Sequence, residues 1–328
     1  MPSTRSIAMA GAQTAYPGNT TAINYNPAGL AITDTTMMIF NGFRQNYSWS
    51  LAEFTSNGLN AAFIRPGWAI SFSRVESGNP DVLTTTDETG TPSKSNDQWL
   101  FHQYFLSLMY GRELTPKVAV GASFQLNRSE SAVQLIESDI LKQQTGLALD
   151  IGILYQAHKM LRMGMTVENL IHTNPDYVLF DYFTNIAFMD ELPEMINLGI
   201  AFQPFERLSL ALDIHNVFPN DTRDNNRNVD YRFHRSYHAG GELRITNRIW
   251  LRVGYMSEKT AINFSSDINT PLTYVKQNTV TAGIEVKTGQ LLLGLAADFD
   301  QRKEELEKYQ LDISGSGFRY FGSIRWLF

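Results

Sequence analysis

The chain has 328 residues and not one of them is cysteine. That removes disulfides, thiolate metal sites and cysteine nucleophiles together. The absence suits export through an oxidising compartment, although many cytosolic chains share it. Long apolar runs are missing too. No stretch reaches about 18 consecutive apolar residues, which excludes a membrane-spanning helix. It does not exclude spanning strands, because half of each such strand is polar. Basic charge is scarce: 27 Lys and Arg stand against 33 Asp and Glu, a net charge of −6. With no dense Lys/Arg run, nothing advertises a nucleic-acid partner. The start, Met1-Pro2-Ser3-Thr4-Arg5, lacks the basic stretch and apolar core of a secretory signal. An exported form is therefore expected to be numbered from near its mature end, its signal already removed.

What is present is alternation. In Thr279–Lys287 one face is Val280, Ala282, Ile284, Val286, and the other is Thr279, Thr281, Gly283, Glu285, Lys287. Val118–Asn127 sets Val118, Val120, Ala122, Phe124, Leu126 against Ala119, Gly121, Ser123, Gln125, Asn127. Leu149, Ile151, Ile153 oppose Asp150, Gly152, Leu154, and Leu161, Met163, Met165 oppose Arg162, Gly164, Thr166. A period of two over eight to ten residues is strand. The pattern predicts about fourteen strands: 35–44, 57–65, 67–76, 99–112, 116–128, 145–158, 160–169, 195–204, 208–218, 230–246, 248–258, 277–287, 291–301 and 317–328. Tyr47 and Trp49 are placed in the loop after the first.

The connections alternate between tight and long. Tight ones fall at 65–67, 113–116, 158–159, 204–207, 246–248 and 288–290. Longer, mostly polar ones fall at 45–56, 77–98, 129–144, 171–194, 220–229, 259–276 and 301–316. A transmembrane barrel has this pattern, with short periplasmic turns and long outer loops. A soluble sandwich has no reason to put every long loop at one end. The chain also closes on Gly317–Phe328, an amphipathic strand whose one face is Phe318, Tyr320, Gly322, Ile324, Trp326, Phe328, with Phe321 and Leu327 as exceptions on the other. An aromatic-rich end with a terminal Phe resembles the signal by which outer-membrane proteins enter barrel assembly, and Trp326 and Phe328 are its candidate residues.

Charge follows the inward phase. Asp150, Arg162, Glu168, Asp213, His215, His238, Glu242, Arg244, Arg252, Glu285, Asp298, Arg319 and Arg325 all fall there. An Arg or Lys facing lipid near the midplane would cost about 2–4 kcal/mol. Both signs are present, so these groups are expected to pair and brace the lumen; a charge filter would prefer a ring of one sign. Enzyme chemistry finds no foothold: there is no nucleophile elbow, P-loop or dinucleotide fingerprint. His234 and His238 would sit about 13 Å apart along a strand, too far for a shared metal. No cofactor and no metal site is expected.

One part does not alternate. Arg5–Ala31 is rich in Gly, Ala, Asn and Thr and carries one charge. Its Arg5-Ser-Ile-Ala-Met-Ala-Gly-Ala12 and Ala22-Ile-Asn-Tyr-Asn-Pro-Ala-Gly-Leu-Ala31 resemble the start of the FadL-like outer-membrane superfamily, closest to the PorV/PorQ-like branch associated with type IX secretion. That branch begins with a Met-Gly-Gly-Ala-like segment; Met9-Ala10-Gly11-Ala12 departs by one Gly, while Tyr25–Ala31 matches throughout. The resemblance implies an all-β transmembrane antiparallel barrel with residues 1–34 as a hatch folded into the lumen and 35–328 as the wall. Within the hatch Asn24, Tyr25, Asn26, Pro27, Ala28, Gly29 and Leu30 are the candidate plug residues, with Asn26, Pro27 and Gly29 favouring a fixed turn.

Two functions follow from the resemblance. In the first the barrel sits in the bacterial outer membrane among lipid and lipopolysaccharide as an accessory of a secretion machine. It would bind translocon subunits or exported proteins through its outer loops and wall. In the second it passively transports a hydrophobic small molecule, gated by the head. Loops under about 25 residues tilt the expectation to the accessory. Phe180, Tyr182, Phe183 and Phe188 are its candidate docking patch, which would equally serve as a greasy entry site.

Overall fold

A computed structural model describes residues 3–16, 20–48, 53–79, 84–86, 92–94, 98–134, 139–173, 177–179, 187–189, 194–218, 221–224, 229–263, 273–306 and 311–328. In chain order the strands are β1 (Met37–Ser48), β2 (Glu53–Arg65), β3 (Trp68–Asn79), β4 (Thr84–Thr86), β5 (Pro92–Lys94), β6 (Gln98–Thr115), β7 (Val118–Gln134), β8 (Asp139–His158), β9 (Leu161–His172) and β10 (Tyr177–Leu179). They continue with β11 (Ala187–Met189), β12 (Met195–Phe205), β13 (Leu208–His215), β14 (Asp221–Asp224), β15 (Val229–Phe233), β16 (Ser236–Thr246), β17 (Ile249–Asn263), β18 (Thr273–Thr288), β19 (Leu291–Leu306) and β20 (Leu311–Leu327).

Fourteen of them, β1–β3, β6–β9, β12, β13 and β16–β20, form one antiparallel ring. It closes where β1 pairs with β20, Met37 opposite Leu327 and Tyr47 opposite Gly317. β17 pairs with β18 to complete the circuit. Closure removes every free edge. The short β4–β5, β10–β11 and β14–β15 hairpins lie in the long connections. No described helix is long and apolar enough to cross a membrane.

Burial alternates as the sequence phase requires. In β13 Ser209, Ala211 and Asp213 are buried while Leu210, Leu212 and Ile214 are exposed. The exposed set around the wall is apolar, including Phe40, Leu59, Phe72, Leu108, Ile153, Met163, Val253, Val280, Leu295 and Ile324. Buried and charged positions face in. A ring with its apolar side outward is stable only in an apolar solvent, so this wall spans a membrane. Exposed Trp68, Tyr110, Tyr155, Phe205, Trp326 and Phe328 gather toward the tight-turn end, as an aromatic girdle does.

Three sequence expectations need correction. β1 runs to Ser48, so Tyr47 is in the strand and not in the loop; its pairing with β20 holds it there. Trp49 lies outside the described residues. Many strands also outrun their alternating apolar stretch: β7 and β8 stay paired as far as Gln134 opposite Asp139, where a long loop was expected. Ladder hydrogen bonds need no apolar side chain, so polar strand continues past the apolar band. The segment 230–246 is not one strand. β15 and β16 lie end to end along β17, Phe233 opposite Thr260 and Tyr237 opposite Ser257, interrupted at His234-Arg235. There the Arg235 Nε donates to the Val217 carbonyl at 2.7 Å.

Candidate functional site: the barrel lumen

Along the lumen axis three layers follow from which residues each strand turns inward. The middle layer is a belt of glycine. Gly111, Gly121, Gly152, Gly164, Gly199, Gly240, Gly254, Gly283 and Gly294 lie one each on β6, β7, β8, β9, β12, β16, β17, β18 and β19. A Cβ on any of the nine would come closer than 3.0 Å to an atom of the N-terminal segment. At Gly240 it would meet the Met9 carbonyl oxygen at 2.7 Å, at Gly283 the Ala8 Cβ at 2.5 Å, and at Gly111 the Pro27 carbonyl oxygen at 2.7 Å. β13 carries buried Ala211 at this height, against Met9 and Ala12. Glycine weakens a strand interior, so its repetition here is explained by the close approach of a second backbone. The belt was legible in part: Gly121, Gly152, Gly164 and Gly283 all stand on the inward phase of the alternating runs, yet alternation alone says nothing of what presses on them.

The segment that fills the belt starts with a helix, α1 (Thr4–Ala8), capped by Ser3, whose side chain accepts from the Ser6 N–H. The turn after it is left-handed at Ala10 (φ 51°) and Gly11 (φ 79°). A 3-10 helix, Pro27–Ile32, follows with Asn26 as its cap. The Asn26 Oδ1 accepts from the Ala28 N–H at 3.1 Å, while its Nδ2 donates to the carbonyls of Thr14 at 2.8 Å and Ile153 at 3.2 Å. Asn26 and Pro27 thus make the turn that the sequence suggested, whereas Gly29 is an interior residue of the 3-10 helix, its N–H donating to the Asn26 carbonyl at 3.0 Å. Residues 3–15 and 26–30 are buried throughout, Leu30 fully. Asn24 and Tyr25 are half-buried and line the cavities described below.

Directed bonds tie this segment to the wall. Thr4 and Ser323 hydroxyls lie 2.6 Å apart. The Thr281 hydroxyl donates to the Ala8 carbonyl at 2.9 Å, and the Asp213 Oδ2 accepts from the Thr14 N–H at 2.7 Å. His238 Nδ1 lies 2.7 Å from the Ala10 carbonyl, which can only accept, so Nδ1 carries the proton; Nε2 then accepts from Ser236 at 2.8 Å. His215 stacks on His238 at 4.0 Å between ring centroids and lies 3.5 Å from Asp213. The sequence sets His234 and His238 too far apart to share a metal; the fold instead brings His215 and His238 together across neighbouring strands. No group of three or more metal-ligating residues occurs among the described residues.

Toward the tight-turn end lies the ionic layer. Arg5 Nε donates to Glu242 Oε2 at 3.0 Å, and Arg252 Nε donates to the same oxygen at 2.5 Å. Arg252 also reaches Glu285 at 3.3 Å, and Arg325 pairs with Glu285. Burial works against the charge on Arg5, but Glu242 and Tyr16 outweigh it and hold the guanidinium above its ordinary pKa. Tyr16 bonds Ser209 at 2.8 Å and stacks under Arg5 at 4.4 Å. Next to this layer, under β1–β3, the floor is apolar: Ile23, Leu30, Met37, Ile39, Ile64 and Met109 cluster, with Leu327 packed on them. Phe321 stacks on Phe43 at 5.6 Å and joins Ile7 and Ala8. Both aromatic-strand exceptions therefore face inward because the N-terminal segment gives them apolar neighbours.

The third layer is open space toward the long-loop end. One cavity of about 360 Å³ is lined by Ser71, Ser73, Ser107, Ser123, Gln125, Asp150, Thr166, Glu168, Asn169 and His215, with Ala22–Tyr25 and Pro27 beneath. A second of about 320 Å³ shares Tyr25 and His215 and continues to His238, Met256, Glu258, Thr279, Asp298 and Arg319. Burial pushes the Tyr25 phenol up to about 12, so it stays a neutral hydroxyl. The remaining inward charges are placed on the wall: Arg319 binds Asp298 at 2.7 Å, and half-buried Arg162 donates to Gln156 at 2.9 Å near the tight-turn rim. Arg244 reaches Glu206 at 3.7 Å. Phe180, Tyr182 and Phe183 lie outside the described residues, and Phe188 is described only as backbone opposite Val178.

No family model matches the chain and no curated protein matches it. Solved structures do. The chain is similar to the Pseudomonas putida toluene transporter TodX, with 13% identity, a TM-score of 0.66, and coverage of 100% of this chain and 98% of that one. It is similar also to the Ralstonia pickettii toluene transporter TbuX (12%, TM-score 0.64, 100% and 98%) and to a Pseudomonas aeruginosa FadL homologue (12%, TM-score 0.62, 99% and 98%). The chain therefore has the FadL-type barrel fold, a closed antiparallel ring of fourteen strands.

Proposed function

We propose that the protein is a passive outer-membrane channel for a small, largely apolar compound, with the N-terminal segment, described over residues 3–16 and 20–34, as a plug seated in its lumen. The carrying observation is the glycine belt. Nine wall positions give up their side chains to admit one segment of the same chain, and the space beyond that segment is left as cavities and not filled. A wall meant only as a platform would gain more by packing its lumen with side chains. The names of the similar structures, toluene transporters among them, support the substrate class. Tight turns then face the periplasm and long loops the outside. The inward charges pair with opposite signs, which fits bracing better than selection.

The PorV/PorQ-like branch drew on the head motif, Met9–Ala12 and Tyr25–Ala31, and the secretion-accessory reading on that branch and on loop length, with the aromatics of loop 171–194 as its candidate patch. Much of that loop lies outside the described residues, and two of the three similar structures reported above are named toluene transporters.

The chain's lack of cysteine makes a clean test. Thr4→Cys with Ser323→Cys would join plug to wall, since the native hydroxyls are 2.6 Å apart. In liposomes, uptake of a small aromatic should fall on oxidation and return on reduction. Equal uptake in both states would remove plug movement from the reading. No uptake by the wild type would remove the channel.

A further inference from the structure

The larger lumen cavity has the wrong lining for a bare hydrocarbon. It sits two to four residues beyond the glycine belt on four consecutive strands, with Ser107 on β6, Ser123 and Gln125 on β7, Asp150 on β8, and Thr166 and Glu168 on β9, and it extends to Ser71 and Ser73 on neighbouring β3. Four of them are serines, and the shortness of those side chains makes the space. Ser71 stands directly opposite Ser107, Ser107 opposite Gln125, and Ser123 opposite Asp150, so hydroxyl, amide and carboxylate form one unbroken polar wall.

At its β8–β9 side the same wall is shaped by a bulge. On β9 the three residues 168–170 oppose only Asp150 of β8, where the register shifts between Leu149 and Ile151. Asn169 takes a left-handed conformation (φ 57°), and its N–H donates to Asp150 Oδ1 at 2.9 Å. Glu168 Oε1 accepts from Asn197 at 2.7 Å. Each carboxylate thus has one oxygen engaged, and among the described residues no Lys or Arg lines this cavity. Burying an apolar ligand here would strip hydrogen bonds from all these groups without replacing them. A ligand that brings donors would replace them.

We infer that this cavity is a binding site for the hydroxyl- or amine-bearing end of a small solute, its donors received by Asp150, Glu168 and the serine wall. The inference rests on the channel reading and narrows its substrate: an apolar body carrying a hydrogen-bond-donating head, with an amine preferred over a hydroxyl.

The test is calorimetric titration of the full-length protein in detergent with toluene, benzyl alcohol and benzylamine, which share a ring and differ at one end. Benzylamine should bind at least about tenfold tighter than toluene, with benzyl alcohol between them. Asp150→Asn with Glu168→Gln should abolish the advantage of benzylamine over benzyl alcohol, and Ser107→Leu, which fills the cavity, should weaken both. Toluene binding as tightly as benzylamine, no binding of any probe, or an unchanged preference in the double variant would overturn the inference. Uptake into liposomes separates the two readings: benzylamine that binds but does not enter leaves the site standing and removes the channel, whereas toluene that enters without polar preference does the reverse.

Discussion

A Cβ on Gly240 would stand 2.7 Å from the carbonyl oxygen of Met9, two hundred and thirty-one residues away in the chain. The oxygen is backbone and the Cβ is fixed directly to backbone, so neither side has a flexible end to move. Gly240→Ala must therefore displace the plug or strain the wall, at a cost of about 1–3 kcal/mol for an overpacked site. Gly111→Ala should behave alike, because its Cβ would meet the Pro27 carbonyl and the Ala31 nitrogen. Gly322→Ala is the control, with nothing within 4 Å of its Cβ. Single-channel conductance should rise in the first two variants and stay at the wild-type level in the third. Unchanged conductance at both belt positions would mean the segment does not obstruct the lumen.

Asn26 both caps the 3-10 helix and donates to two carbonyls. Asn26→Ala loses about 1 kcal/mol of capping and leaves those carbonyls short of a donor. Asn26→Asp keeps the cap but sets a carboxylate oxygen against the Thr14 and Ile153 carbonyls. The aspartate variant should therefore melt at or below the alanine variant in detergent, although Asp is ordinarily as good a cap as Asn. A melting temperature equal to wild type for Asn26→Asp would show that capping is all Asn26 does.

Arg5 is the plug's share of the ionic layer. Its removal leaves Glu242 with Arg252, so the loss should stay below the about 3–5 kcal/mol of a buried charge left wholly alone. Arg5→Gln should make the N-terminal segment cleavable by an added protease in detergent while the barrel stays folded on a gel. Arg5→Lys should protect only partly, since an ammonium lacks the planar fork that spans Glu242 and stacks on Tyr16. Equal resistance of all three proteins would locate the plug's hold elsewhere.

Leu212 is 63% exposed and its neighbour Asp213 2% exposed. Leu212→Arg near the bilayer midplane should cost about 2–4 kcal/mol of folding free energy in lipid, measured by refolding into vesicles. A cost near zero would place this stretch of β13 outside the hydrocarbon.

The count of fourteen strands was legible in the chain because alternation and the order of tight and long connections are local properties. So was the inward placement of Asp213, Glu242, Arg252 and Glu285, since a strand has two faces and the one that meets lipid excludes charge. Strand ends were less legible, because polar residues such as Ser129–Gln134 pair as well as apolar ones and leave no pattern. The interruption at His234-Arg235 depends on where β13 stops beside it, and no local signal marks that. The lumen was the least legible. Period two says that Gly164, Gly199 and Gly240 point inward, but not that Thr14, Ala15 and Met9 press on them. That contact joins residues some two hundred positions apart, and it exists only once the ring has closed. The same holds for the cavity beside Asp150. Its serines are scattered over three strands, and the pairing register of β3, β6 and β7 brings them to one height.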